Sequence, residues 1–385
     1  MRSLASASAG LTCSHRPPCS GCPRFAEPGI APSARAELDA LTRLHGLPPV
    51  RVVLGSAETG FRLRARLSIR GHVGSPKLGL FELGTHRVVH IPNCRVQHPM
   101  INHVAAVVRR ALVEAKISCY SDKAHLGLAR YLQVVIERGS QSAQVVLVAN
   151  APTPEPLAAC FDNLRERLGR NLHSLWFNAN RESTNTILGS GFVHVCGPAS
   201  LVEHFGGAAV HYPPGAFGQS NLDVAGLIIE HLRGEIAPGS RVAEFYAGVG
   251  AIGLSVLDRA VALRLNEMSP YSLHGLEMGL SALEATDRAR IEVVPGPAGE
   301  AGAMVGDADV VIADPPRKGL DAGLTSALVE SPPEKLLYVS CGLEAFMADT
   351  ARLTASGALR LTGLTAFNLF PYTEHVETVG RFERA

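Results

Sequence analysis

Hydrophobic and polar positions repeat with two periods along this chain, and the changes of period mark its elements. Residues 61–70, FRLRARLSIR, alternate strictly. Phe61, Leu63, Ala65, Leu67 and Ile69 share one face of a predicted strand; Arg62, Arg64, Arg66, Ser68 and Arg70 share the other. A short helical pattern precedes it at 34–46. Between 101 and 205, helical periods (101–115, 155–169) mix with apolar strand-like runs (131–137, 143–150), which predicts a central α/β domain. The remainder is the most regular part. A helix at 222–236 leads to a strand at 241–246, a glycine-rich turn with a helix after it, and a strand at 261–267. A helix from Tyr271 and strands at 290–294, 309–316 and 335–341 follow, then strands at 359–368 and 375–383. Such alternation predicts a mostly parallel α/β sheet covered on both faces. The last two strands have no helix between them, so the last is expected to run antiparallel. Three regions are expected: 1–100, 101–205 and 206–385.

A chain of 385 residues can form two or three domains with real cores. No apolar run is long enough to cross a membrane. The first 13 residues have Arg2 but no sustained apolar core, so no signal peptide is expected and a cytoplasmic location is. A net charge of +1 gives no global sign of a polyanionic partner, so any such sign must be local. The arginine face at 61–70 is one, since four arginines without an acid repel each other unless phosphates cover them.

Eight cysteines in a chain of this size, without a secretory signal, argue against a disulfide framework. Cys13, Cys19 and Cys22 crowd into a Pro/Gly/Ser segment, where close thiols suit a metal ion or an iron–sulfur cluster. Cys94, on a Pro/Asn turn, is the best fourth ligand. The spacing does not separate zinc from iron–sulfur. Cys119, Cys160 and Cys196 are expected to pack as small apolar residues.

Four features converge on the carboxyl ends of the C-terminal strands: the glycine turn GVGAIG (248–253), Glu267, Asp314 and Cys341. An antiparallel last strand returns His375 and Glu377 to the same edge, where open α/β sheets bind ligands. The turn and Glu267 fit either a dinucleotide or S-adenosylmethionine, since both have ribose hydroxyls for an acid to bind. A strand-end carboxylate and thiol favour methyl transfer to a poor carbon nucleophile over hydride transfer.

On these residues the chain resembles the S-adenosylmethionine-dependent RNA uracil-5-methyltransferases, especially the iron–sulfur members that modify 23S ribosomal RNA. The matching segments are AFGQSN, EFYAGVG, NE, DPPRKGL, SCG and FPYTEHVE, together with the cysteines and the basic strand. The resemblance implies a Rossmann-like class I methyltransferase domain behind an iron–sulfur segment and a central α/β domain. It implies that Gln219, Tyr246, Glu267 and Asp314 bind the cofactor, that Cys341 is the nucleophile and that Glu377 is the base. Cys13, Cys19, Cys22 and Cys94 are implied to hold a [4Fe-4S] cluster. RNA is the implied partner, and no obligate protein partner or membrane is expected. The chain departs from the family pattern at Glu244, Ala247 and Asn368. With the cysteines so near its start, the additional N-terminal RNA-binding barrel of some relatives is not expected.

Overall fold

The alternation at 61–70 holds in the computed structural model, which describes residues 11–385: Phe61, Leu63, Ala65, Leu67 and Ile69 are all buried. Residues 1–10, most of the stretch read for a leader, lie outside the described residues. In chain order the first ten strands are β1 (Arg51–Val53), β2 (Arg64–His72), β3 (Ser75–Phe81), β4 (Val88–His90) and β5 (Ala129–Ile136), then β6 (Ala143–Ala149), β7 (Leu172–Ala179), β8 (Gly191–Cys196), β9 (Leu201–Phe205) and β10 (Ala208–Tyr212). Seven of them form one sheet in the order β4-β3-β2-β5-β6-β7-β8. All its pairings are antiparallel except β6 with β7, which the helix Ala158–Leu168 joins as a crossover.

β5 and β6 are buried along their whole length, which is why they read as continuous apolar runs. The helix Pro99–Glu114 lays Ile101, Val104, Ala105, Val108 and Leu112 into this core. Each such Leu, Ile or Val, fully buried, contributes roughly 1.5–3 kcal/mol. On the opposite side, Gln133 donates to the Pro214 carbonyl (2.8 Å) and Gln144 to that of Tyr212 (3.3 Å), tying the sheet to the C-terminal unit. The β9–β10 hairpin turns on Gly206 and Gly207, both at positive φ (55° and 87°), as the twist of a two-residue hairpin requires.

The remaining strands are β11 (Ser240–Phe245), β12 (Ala260–Glu267), β13 (Ile291–Pro295), β14 (Val310–Ala313), β15 (Lys335–Ser340), β16 (Leu359–Phe367) and β17 (Glu377–Arg384). With β1 they form a sheet in the order β1-β16-β17-β15-β14-β11-β12-β13. Only β17 runs against its neighbours, as expected for the last strand. The chain runs outward from β11 to β13 and then crosses back to β14, so the order reverses between β11 and β14.

Two expectations differ from the fold. Strands on either side of residue 100, β2 and β5, pair directly, so that boundary falls inside one sheet. β1 pairs with β16, which places part of the first hundred residues on the C-terminal sheet. The helix expected after the glycine turn is also absent. Residues 254–256 form a single 3₁₀ turn instead, because the chain must return to β12 at Ala260 and two glycines weaken any helix there. No helix among the described residues is long and apolar enough to cross a membrane.

Candidate active site and cysteine cavity

Strand register brings the expected residues together. Phe245 of β11 lies beside Ala313 of β14, so the next residues, Tyr246 and Asp314, leave the sheet side by side. Ser340 of β15 lies opposite Thr378 of β17. One further step in an antiparallel register puts Cys341 opposite Glu377.

The glycine turn is under strain. Tyr246 sits at φ 61°, a left-handed conformation that costs roughly 1–3 kcal/mol for a non-glycine residue. Its hydroxyl accepts the Asp321 N–H at 2.9 Å, and the Ala247 N–H donates to the Asn266 carbonyl. Glu267 closes the turn: Oε2 accepts from Gly248 N (2.8 Å), and Oε1 from Met268 N (2.9 Å) and Ser269 N (2.6 Å). Below it Glu244 is buried, and a Cβ on Gly253 would stand 2.3 Å from its Oε2, so only glycine fits over this acid. With no α-helix N-terminus behind the turn, the pyrophosphate seat of a dinucleotide site is missing.

Asp314, Cys341 and Glu377 share an acidic, partly buried corner. Burial pushes the Asp314 carboxyl up to about 7. Burial, then the charge of Asp314, pushes Glu377 well above the usual carboxylate range, with Arg317 opposing. Glu377 is 1% exposed, and its Oε2 has no hydrogen-bond partner. The half-buried Cys341 thiol is pushed up by burial, Glu377 and Asp314, and is drawn down by the charge and hydrogen bond of Arg317. Arg317 belongs to the DPPRKGL loop, which Asp349 anchors: its Oδ2 accepts from Leu320 N (2.9 Å) and the Tyr338 hydroxyl (2.6 Å).

Gln219 stands apart. It lines a crevice with Arg64, Tyr212 and Leu222 rather than with Glu267 or Asp314. Two residues on, Asn221 caps the helix Leu222–Gly234 and donates to the Leu369 carbonyl at 3.3 Å, which ties the AFGQSN segment to the loop before Glu377. His375 is exposed in that loop. The sequence pattern gave no sign of Arg317, whose role depends on where its loop folds, or of Met268, an exposed apolar side chain beside Glu267.

Cys13, Cys19, Cys22 and Cys94 line one cavity of about 140 Å³. Burial, reinforced by the neighbouring thiols, pushes Cys22 up to about 11. Among the described residues, no group of three or more His, Cys, Asp or Glu side chains is arranged to hold a single metal ion. The other three cysteines pack as expected in part: Cys160 is buried, while Cys119 and Cys196 are half-buried.

The cavity corrects the reading of the arginine face. Arg62, Arg64 and Arg66 line it, with Arg16 and Arg95, and no carboxylate does. Arg64 is half-buried, donates to the Ala216 carbonyl at 3.0 Å, stands 5.9 Å over the Tyr212 ring and is drawn down to about 10 by burial. Arg70 is buried against Phe81, Tyr120 and Tyr131 and is paired with Asp122 at 2.7 Å. Of the four arginines only Arg66 is exposed, so they are not one solvent-facing row awaiting phosphates. Alternation correctly divides the strand into two faces, but it does not say what covers the second.

Comparison with known proteins agrees with this geometry. The sequence model of a family described as tRNA (Uracil-5-)-methyltransferase matches residues 306–384, the segment holding Asp314, Cys341 and Glu377. An uncharacterized RNA methyltransferase of Protochlamydia amoebophila is 33% identical, over 97% of this chain and 98% of its own. Another, from Lactococcus lactis, is 27% identical over 87% of this chain and 74% of its own. The crystal structure of Pyrococcus abyssi tRNA (uracil-54, C5)-methyltransferase in complex with S-adenosyl-L-homocysteine shares the fold, with a TM-score of 0.74 at 23% identity, over 91% of this chain and 83% of that one. With the first relative matched end to end, this chain belongs to a family of RNA methyltransferases, and the uracil-5-methyltransferase model lies across Asp314, Cys341 and Glu377.

Proposed function

We propose that this protein transfers a methyl group from S-adenosylmethionine to C5 of a uridine in 23S ribosomal RNA, through a covalent bond between Cys341 and uracil C6. One observation carries the reading: a thiol, a buried carboxylate opposite it in register, and a glycine turn closed by an acid share one edge of a parallel sheet.

Cys341 Sγ adds to C6, which makes C5 an enolate carbon and hence a nucleophile. Arg317 favours the thiolate needed for that attack. S-adenosylmethionine supplies the methyl group from its sulfonium. Glu377 then takes the proton from C5, and elimination across C5–C6 frees Cys341. Burial raises the proton affinity of Glu377, which suits abstraction from carbon. Glu267 would hold ribose hydroxyls through the lone pairs its three backbone bonds leave free, and exposed Met268 offers an apolar rest for the base. Tyr246, Asp314 and Gln219 complete the cofactor set on the strength of the family motifs. The buried corner requires the uridine to be flipped out or single-stranded.

Cys13, Cys19, Cys22 and Cys94 would hold a [4Fe-4S] cluster. Their cavity is larger than one ion needs, and five arginines without an acid would balance thiolate charge once metal displaces the protons. The cluster would cross-link the 13–22 segment to the turn at Cys94. These cysteines support ribosomal RNA as substrate. A transfer-RNA substrate is the second reading, favoured by the family description and the Pyrococcus neighbour.

Mapping 5-methyluridine in the RNA of a deletion strain tests the function. One 23S uridine should lose its methyl group, and the native gene, but not Cys341→Ala, should restore it. Loss confined to transfer RNA would move the substrate, and no loss in either would refute the reading.

A further inference from the structure

The loop 368–376, which leads into Glu377, is held from outside the C-terminal sheet. Tyr372 is its hub. The Arg24 N–H donates to the Tyr372 carbonyl at 3.0 Å, and Arg24 Nη1 to that of Thr373 at 3.4 Å. The Tyr372 hydroxyl donates to the Glu58 carbonyl at 2.9 Å. Its ring lies 5.1 Å from Phe25 and 6.3 Å from Phe61, in one apolar cluster that also takes in Cys22 and Cys94. The residue is 6% exposed and sits at φ 68°. A tyrosine in that conformation is strained, and it persists only where its surroundings over-determine it.

What the strain holds is the approach to Glu377. Glu377 is the first residue of β17, so the ladder fixes its backbone on one side only, through Phe367. The loop leads straight into it along the chain. The carboxyl Oε2 has no hydrogen-bond partner, so packing must set the side chain's direction. The segment carrying Cys19 and Cys22 reaches this loop directly, two residues after Cys22, through Arg24 and Phe25.

We propose that Tyr372 is a positioning residue that clamps the loop before Glu377 onto the cysteine segment, so that the placement of the base depends on the cysteine site being in order. This rests on the reading of Glu377 as base. The cysteine site thereby acquires a definite role, which is to hold one wall of the reacting centre from some distance behind the thiol that attacks.

The test follows the fate of the covalent protein–RNA adduct in single-turnover assays with an RNA substrate. Tyr372→Gly removes the ring and relieves the backbone strain, so it should fold at least as readily as Tyr372→Ala. Both should accumulate a methylated adduct stable to denaturing electrophoresis, as Glu377→Gln should, with kcat falling and KM for RNA nearly unchanged. Tyr372→Phe keeps the ring packing and should restore most of the turnover. Native protein purified anaerobically should contain iron and sulfide in equal amounts, and removing them with a chelator should also produce the adduct. If Glu377→Gln traps adduct but Tyr372→Gly does not, the clamp is wrong while the base assignment stands. If Tyr372→Gly raises KM without trapping, the loop shapes RNA binding and the inference is overturned. If the metal-free protein turns over normally, the base does not depend on the cysteine site. If Glu377→Gln itself turns over normally, the base reading falls first.

Discussion

Gly342, directly after Cys341, is a position where a single methyl group should disturb the Cys341 thiol directly. Its φ and ψ, −116° and 94°, are open to alanine, so any penalty is steric. A Cβ there would lie 2.5 Å from the Arg317 carbonyl oxygen and 3.3 Å from Arg317 Cα and C. Carbon–oxygen contacts settle near about 3.3 Å, so roughly 0.8 Å of separation has to be found. The DPPRKGL loop cannot simply retreat. Asp349 grips Leu320 N on its far side, and a Cβ on Gly319 would already lie 2.4 Å from that carboxylate. The displacement therefore falls on Cys341 and on the Arg317 guanidinium that favours its thiolate. Overpacking of this kind costs about 1–3 kcal/mol of stability, and a misplacement approaching 1 Å costs about 10²-fold in rate. Gly342→Ala should lower Tm by several degrees and slow single-turnover methylation about a hundredfold, with RNA affinity close to native. Native Tm and native rate together would show that the two loops are not locked at this point.

Cys341→Ala should bind RNA yet form no covalent complex, whereas Glu377→Gln should methylate C5 and then remain attached; denaturing electrophoresis with labelled methyl donor separates the two, and methylation by Cys341→Ala would refute the mechanism. Asp314 gives a prediction about pH. A carboxyl raised from 3.8 to about 7 by burial favours the folded state below pH 4 and withdraws that support as pH rises through 7. Three pH units at about 1.4 kcal/mol each cap the effect near 4 kcal/mol. Asp314→Asn should accordingly raise Tm above pH 7 and leave it little changed near pH 4, while cofactor binding is lost; a variant no more stable than native at pH 8 would contradict the assignment.

The strand ends were legible because their signal is local. DVVIADPP and KLLYVSCG each carry an apolar run into a turn, and the missing helix between the last two strands gives the antiparallel return of Glu377. The β9–β10 hairpin was missed, although two adjacent glycines, Gly206 and Gly207, are the usual mark of such a turn. β3 was hidden by its Pro76 and Gly79, which break both periods. A Cβ at Gly79 would stand 1.8 Å from the Val89 carbonyl oxygen, so this glycine is needed for strand approach and not for a turn. The fate of the arginines could not be read, because it depends on a segment some distance upstream folding over them.

Several features that local rules forbid gather in one place. Tyr246 holds a left-handed backbone, Glu244 and Glu377 each bury an oxygen without a partner, and Asp314 and Cys341 are both pushed toward their neutral forms. The backbone strain, the unpartnered oxygens and the raised Asp314 carboxyl each lower the stability of the fold at neutral pH, whereas the Cys341 thiol is protonated there in any case. Some buried charges elsewhere are matched, as in the pairing of Arg138 with Glu203 at 2.7 Å and of Arg70 with Asp122. Three carboxyls crowded together where β11, β14, β15 and β17 meet mark that corner as a place for a ligand. The imbalance itself indicates the ligand's character. Asp314 and Glu377 beside the thiol, and Glu244 next to Asp314, all of raised proton affinity, disfavour an anion. The phosphates of RNA must therefore lie outside this corner, and the group that enters it must be neutral or positive. A uracil ring and a sulfonium meet that requirement; a pyrophosphate does not.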